Sequence, residues 1–107
     1  MRTALLAVLT LTLNASGSFL PAAASKTHTV TIDATRYTPS SLTVAPGDTV
    51  IWQNKDILVH TATSTVGAFD SKDIKPGASW KYIVPKKGLF EYYCTLHPAM
   101  KASLRVR

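Results

Sequence analysis

The sequence predicts an all-β protein: a single-domain antiparallel β-sandwich of about seven strands, preceded by a signal peptide. Short segments alternate apolar and polar residues with the period of a strand. Clusters of Pro, Gly, Asn and Asp punctuate them at regular spacing, and no stretch after the N-terminal run sustains a helical period. No internal repeat, linker or low-complexity segment divides the chain, so one domain is expected.

Met1-Arg2 gives a positive start, Thr3 to Leu13 is apolar apart from threonines, and Ala22-Ala23-Ala24 offers small residues for cleavage. That three-part pattern reads as a secretory signal peptide over residues 1–24, leaving a domain over residues 25–107 that begins at Ser25. The apolar run is about half of the roughly 20 residues a spanning helix needs. Asn14, Ser16, Gly17 and Ser18 follow it, so a periplasmic or otherwise exported protein without stable membrane insertion is expected.

Thr27 to Ala34 alternates, with His28, Val30, Ile32 and Ala34 on one side and threonines and Asp33 on the other. Leu42 to Ala45 is a second strand candidate. Pro46-Gly47-Asp48 then turns the chain into Asp48 to Asn54, where Val50 and Trp52 share a side. Leu58 to Thr63 is a fourth candidate, followed by an irregular stretch to the turn Lys75-Pro76-Gly77. Ser79 to Val84 places Trp80, Tyr82 and Val84 together, and Pro85-Lys86-Lys87-Gly88 leads into Leu89 to Cys94. In the last strand Ala102, Leu104 and Val106 face the core while Lys101, Ser103, Arg105 and Arg107 face water.

A domain of 83 residues has a marginal core, which makes a bound metal a useful staple. The single cysteine cannot pair within the chain, and a lone thiol in an exported protein is exposed to oxidation unless it is buried or held by a metal. Of 12 Lys plus Arg against 6 Asp plus Glu, removing Arg2 leaves 11 against 6, or +5. That balance favours acidic partner surfaces and salt-sensitive encounters. The basic residues are scattered apart from Lys86-Lys87, with no aromatic-rich basic stripe, so nucleic acid is not expected as a partner.

Cys94 stands three residues before His97 and six before Met100. One thiolate, one imidazole and one thioether on a short loop suit copper, and a second histidine completes the His2Cys set with a weak axial Met. His60, thirty-four residues upstream, supplies that histidine. Strand parity puts Phe90, Tyr92 and Cys94 on one side, so the thiolate lies at the buried end of its strand. Pro98 stiffens the loop that follows. His28 is expected to be structural or at the surface, and Trp52, Trp80, Tyr92 and Tyr93 to be packing residues.

Cys94-Thr-Leu-His97-Pro-Ala-Met100 with His60 upstream resembles the type I copper signature of the cupredoxins, as does Tyr37-Thr-Pro-Ser-Ser-Leu-Thr-Val-Ala-Pro-Gly-Asp-Thr-Val-Ile-Trp52. The two-residue gap between His97 and Met100 is similar to the amicyanins rather than to the plastocyanins. The resemblance implies a Greek-key sandwich holding one copper ion on His60, Cys94, His97 and Met100. It implies a monomer, not an enzyme, that carries single electrons between redox proteins by Cu(I)/Cu(II) cycling. Docking is then expected near the edge of His97, within an apolar patch of Leu96, Pro98, Ala99 and Leu58. Many relatives have Pro before and Asn after the first histidine, where this chain has Val59 and Thr61; Thr61 is expected to bond near Thr95 in place of the Asn. A periplasmic copper chaperone or storage protein is the alternative, although a single methionine and three histidines after residue 24 make a poor metal-handing surface. Zinc is disfavoured by the methionine, and hydrolysis by a Cys/His pair lacks an orienting group.

Overall fold

Threonines alternating with Val30 and Ile32 produce β1 (Thr27–Asp33), in which the apolar residues are fully buried and Thr27, Thr29 and Asp33 are exposed. The computed structural model describes residues 24–107 together with Thr3, Ala4, Ala7 and Thr10; the signal-peptide reading lies outside this described domain. β2 (Arg36–Thr38), β3 (Ser41–Val44), β4 (Thr49–Asn54), β5 (Thr63–Ser64), β6 (Ser79–Ile83), β7 (Gly88–Cys94) and β8 (His97–Val106) follow. They form two four-stranded sheets, ordered β2-β1-β4-β6 and β3-β8-β7-β5, with no helix among the described residues. The sandwich is the one expected, and two of its pairings, β1 with β4 and β3 with β8, run parallel.

The inward residues of both sheets meet around Trp52, which is fully buried. Its ring lies 5.5 Å from Tyr92 edge-on, 5.6 Å from Phe69 and 5.4 Å from Trp80. Edge-to-face and tilted contacts at these distances favour the aromatic quadrupoles as well as burying area. Burial also pushes the Tyr92 phenol up to about 12, so it stays neutral in the core.

Three segments differ from the sequence reading. β2 has no strand signal of its own: the turn before it uses Ala34 (φ 49°) and Thr35 (φ 58°), not the Gly or Asn that marks such hairpins. Leu58 to Ala62 is not a strand; its only ladder-like contact is a bridge of His60 to Ile74, and β5 begins at Thr63. β8 starts at His97, so the predicted loop is partly strand.

At the other end of β1, Asp48 ties the N-terminal edge together by accepting the amides of Lys26 (2.9 Å) and Ala45 (3.0 Å) and bonding His28 Nε2 (2.9 Å). These bonds, the Lys26 amide foremost, bring its carboxyl down from 3.8 to about 2. His28 is thus a structural residue, paired across from Val50 at the start of the sheet.

Two outcomes follow from these local features. An L-residue in the left-handed region is strained, so Ala34→Asn is expected to stabilise the fold by roughly 0.5–1 kcal/mol, read as a higher denaturant midpoint at unchanged slope. Because the folded pKa of Asp48 lies below its unfolded value, its contribution is complete above 3.8 and lost as pH falls toward about 2. Melting temperatures recorded across that window should fall, and Asp48→Asn should melt lower at neutral pH with a shallower acid slope.

Candidate metal centre

Between β7 and β8 the ladder runs regularly from Gly88 opposite Val106 to Tyr93 opposite Lys101. The next regular rung would set Cys94 against Met100. Instead the register shifts, and Cys94 pairs with His97 across the two-residue turn Thr95-Leu96. The extra residues Pro98, Ala99 and Met100 are accommodated there as a bulge, a position that suits Pro98 because it has no amide hydrogen to donate to a ladder. The slip brings thiol and imidazole face to face, with Cys94 Sγ 3.7 Å from His97 Nδ1.

His60 reaches the same point from the other side of the sandwich. It follows β4 on a segment pinned by the fully buried Asn54, whose amide donates to the carbonyls of Leu58 (2.8 Å) and Ile74 (2.9 Å). Backbone bonds with Ile74 hold His60 itself, at 3.2 Å and 2.7 Å. Its Nδ1 lies 3.7 Å from Cys94 Sγ, and the two histidine rings sit 4.9 Å apart at 47°. Cys94 and His60 have no solvent exposure, whereas His97 is half-buried.

The donor atoms of His60, Cys94 and His97 all lie within 4.8 Å of one another. A first-row ion sits about 2.3 Å from a thiolate and about 2.0–2.1 Å from an imidazole nitrogen, so one ion can bridge a sulfur and a nitrogen no more than about 4.4 Å apart. Both 3.7 Å separations meet that limit. The three residues therefore fit a single soft or borderline metal. Met100 is buried, 5% exposed, on the same inward parity of β8 as Leu104 and Val106. It lines a shallow depression with Thr35, Leu96, His97, Pro98 and Ala99.

Asp56, a residue the sequence reading missed, sets the chemistry of His60. Its Oδ2 accepts from the amide of Thr35 at 2.9 Å and lies 2.8 Å from His60 Nε2. The Thr35 amide foremost, with His60 and Ile57, brings the carboxyl from 3.8 down to about 2. An ionised carboxylate only accepts, so His60 Nε2 carries a hydrogen, and the neutral imidazole then has its lone pair on Nδ1, toward the sulfur. The strained turn at Ala34-Thr35 thus serves the site, because it aims the Thr35 amide at Asp56. The only hint in the sequence was an acidic residue four positions before His60.

Around the sulfur, the amide of Thr61 donates to Cys94 Sγ at 3.3 Å. The Thr61 hydroxyl oxygen accepts from the amide of Thr95 at 3.0 Å, which is the bond expected to replace the family's Asn. Tyr37 donates its hydroxyl to the Thr61 carbonyl, and burial raises its pKa far above the ordinary phenol range, so it remains a donor. In the metal-free protein, nitrogen-15 correlation spectra of the imidazoles are expected to show His60 as the Nε2–H tautomer. Asp56→Ala should mix the two tautomers.

The Cupredoxin-like domain family matches residues 2–106. An amicyanin of Paracoccus versutus is 26% identical over 82 residues, 72% of this chain, and the chain spans 62% of that relative's length. A purple cupredoxin from Nitrosopumilus maritimus superposes with a TM-score of 0.68 at 26% identity, covering 75% of this chain and 99% of that one. A mutant amicyanin in its Cu(I) form superposes with a TM-score of 0.72 at 26% identity, covering 78% of this chain and 85% of that one. Two sheets closing over a buried cysteine flanked by two histidines, with a family match along nearly the whole sequence, place this chain in the cupredoxin-like family.

Proposed function

We propose that the chain is a type I copper protein that carries single electrons, with His60, Cys94, His97 and Met100 as the ligands. The observation that carries this reading is the convergence of two imidazole nitrogens on one buried thiol sulfur at 3.7 Å each. Copper bound there supplies a one-electron Cu(I)/Cu(II) couple. The protein's part is to keep the donors still: Asp56 fixes the His60 ring, and Thr61 fixes both the sulfur and the turn that carries His97. Met100, buried, three residues past His97 and on the inward parity of β8, supports the reading that its thioether is the weak fourth ligand.

His97 is the one donor with an edge toward solvent, and the exposed Leu96, Pro98 and Ala99 flank it in sequence. Ile57 (88% exposed) and Leu58 (45%) lie on the segment leading to His60 and extend the apolar character of this end. Redox proteins with acidic surfaces are the partners that fit such an end on a domain that keeps 11 Lys plus Arg against 6 Asp plus Glu after residue 24. Export with cleavage after residue 24, a monomer and no enzymatic activity complete the reading. Among the described residues no helix is long and apolar enough to cross a membrane. Full burial of Cys94 and His60 argues against rapid metal hand-over, the property a chaperone requires.

Loading the full chain with Cu(II) tests the proposal. An intense visible thiolate-to-copper band, reversible one-electron reduction and a copper-dependent rise in melting temperature are expected. Cys94→Ala should abolish the band while His28→Ala leaves it intact. A colourless Cu(I) form that yields its metal quickly to a chelator would favour the chaperone.

A further inference from the structure

A chain of hydroxyl groups runs from the Cys94 turn to the protein surface, and its proton directions follow from counting. Asp70 is exposed, accepts the Lys72 amide at 2.9 Å through Oδ1, and pairs with Lys72 Nζ at 3.2 Å through Oδ2. The Lys72 amide foremost, with the Lys72 ammonium and Thr63, holds its pKa below the ordinary carboxylate value, so it is ionised and accepts only. Thr63 donates its single hydroxyl hydrogen to Asp70 Oδ1 at 3.1 Å. Thr63 Oγ1 is therefore the acceptor in its 2.9 Å contact with Thr61 Oγ1, and the Thr61 hydrogen points away from the cysteine loop. That orientation leaves the Thr61 lone pairs facing the Thr95 amide at 3.0 Å and the Thr95 hydroxyl at 3.4 Å.

We propose that Thr63 and Asp70 are positioning residues for the metal centre: they fix the Thr61 hydroxyl as an acceptor and so clamp the Thr95 amide and the Cys94–His97 turn. Backbone geometry fits the task. Thr63 and Asp70 face each other in an antiparallel bridge, and the Ser71 amide donates to the Ala62 carbonyl at 3.0 Å. Ser71 Oγ accepts the Ala62 amide at 2.7 Å, so the Asp70 loop is fastened to the segment that carries Thr61 into β5. Without the Thr63 acceptor, the Thr61 hydrogen is free to rotate toward Thr95, where it competes with the amide it now receives. The aligned chain also lets one acidic residue at the surface polarise a group beside the buried sulfur. Neither Thr63 nor Asp70 touches a donor atom of the centre.

Amide hydrogen exchange in the metal-free full chain tests this without relying on the copper reading. Thr63→Val and Asp70→Ala are each expected to speed exchange at Thr95 by about tenfold, the effect of losing one net hydrogen bond, with Trp52 in β4 unchanged. Thr63→Ser, which keeps the hydroxyl, should restore the wild-type rate. Unchanged Thr95 exchange in both disruptive variants overturns the proposal. So does equal acceleration at Trp52, which would reduce the effect to global stability. In the copper-loaded protein the same Thr63→Val change should shift the reduction potential and Thr63→Ser should return it; a chain that binds no copper removes this second readout and leaves the first to decide.

Discussion

Where β7 meets β8, the ladder does not continue in register: the pairing slips so that Cys94 faces His97 instead of Met100, and Pro98, which has no amide hydrogen to give a ladder, lies among the residues left over. The rest of the site depends on that slip. It fixes thiol and imidazole at 3.7 Å with a turn of only two residues between them, a separation that backbone geometry sets and side-chain torsion alone would not hold. The two strands that carry the slip are in turn held by the core: Tyr92 and Leu104, inward residues of β7 and β8, are each 1% exposed. Loosening the core would therefore loosen the donors.

The opposing half of the site is built differently. His60 does not sit on a strand, and what holds it is a set of polar bonds that a sandwich end can supply because the chain there is short of ladder partners. Asn54 at the end of β4 ties down Leu58 and Ile74, Asp56 orients the ring, and the Thr35 amide from the β1–β2 turn orients Asp56. Asn54 is fully buried and Asp56 half-buried, and each has its partners in place, the condition under which polar networks rigidify a structure. The left-handed residues at Ala34 and Thr35 are tolerated because the turn they make delivers that amide.

The donor cluster thus has two faces with different accessibility. Cys94 and His60 are sealed beneath the sheets, and His97 is half-open beside exposed Leu96, Pro98 and Ala99. Sealing a thiol from water shields it from oxidation, and leaving one imidazole near the surface shortens the path to anything that docks there. Thr61 links the faces, since its amide serves the sulfur and its hydroxyl serves the turn before His97.

Strand-period alternation and turn residues were enough to find β1, β3, β4, β6, β7 and most of β8, because those segments bury one face against the core and solvate the other. The spacing of Cys94, His97 and Met100 made the centre visible, since few combinations of soft donors occur so closely by chance. β2 was not legible: its turn has neither Gly nor Asn, and tertiary bonds stabilise it where local propensity does not. The segment before β5 looked like a strand because it is apolar, but its backbone is held by the Asn54 side-chain amide and by Ile74, not by a neighbouring strand. Thr63 and Asp70 carried no signal at all, and Asp56 only its place four residues before His60, because an orienting hydrogen bond is a relation between places in space. Composition and period determine which face of a segment is buried; only the closed sandwich decides which polar groups end within 3 Å of one another.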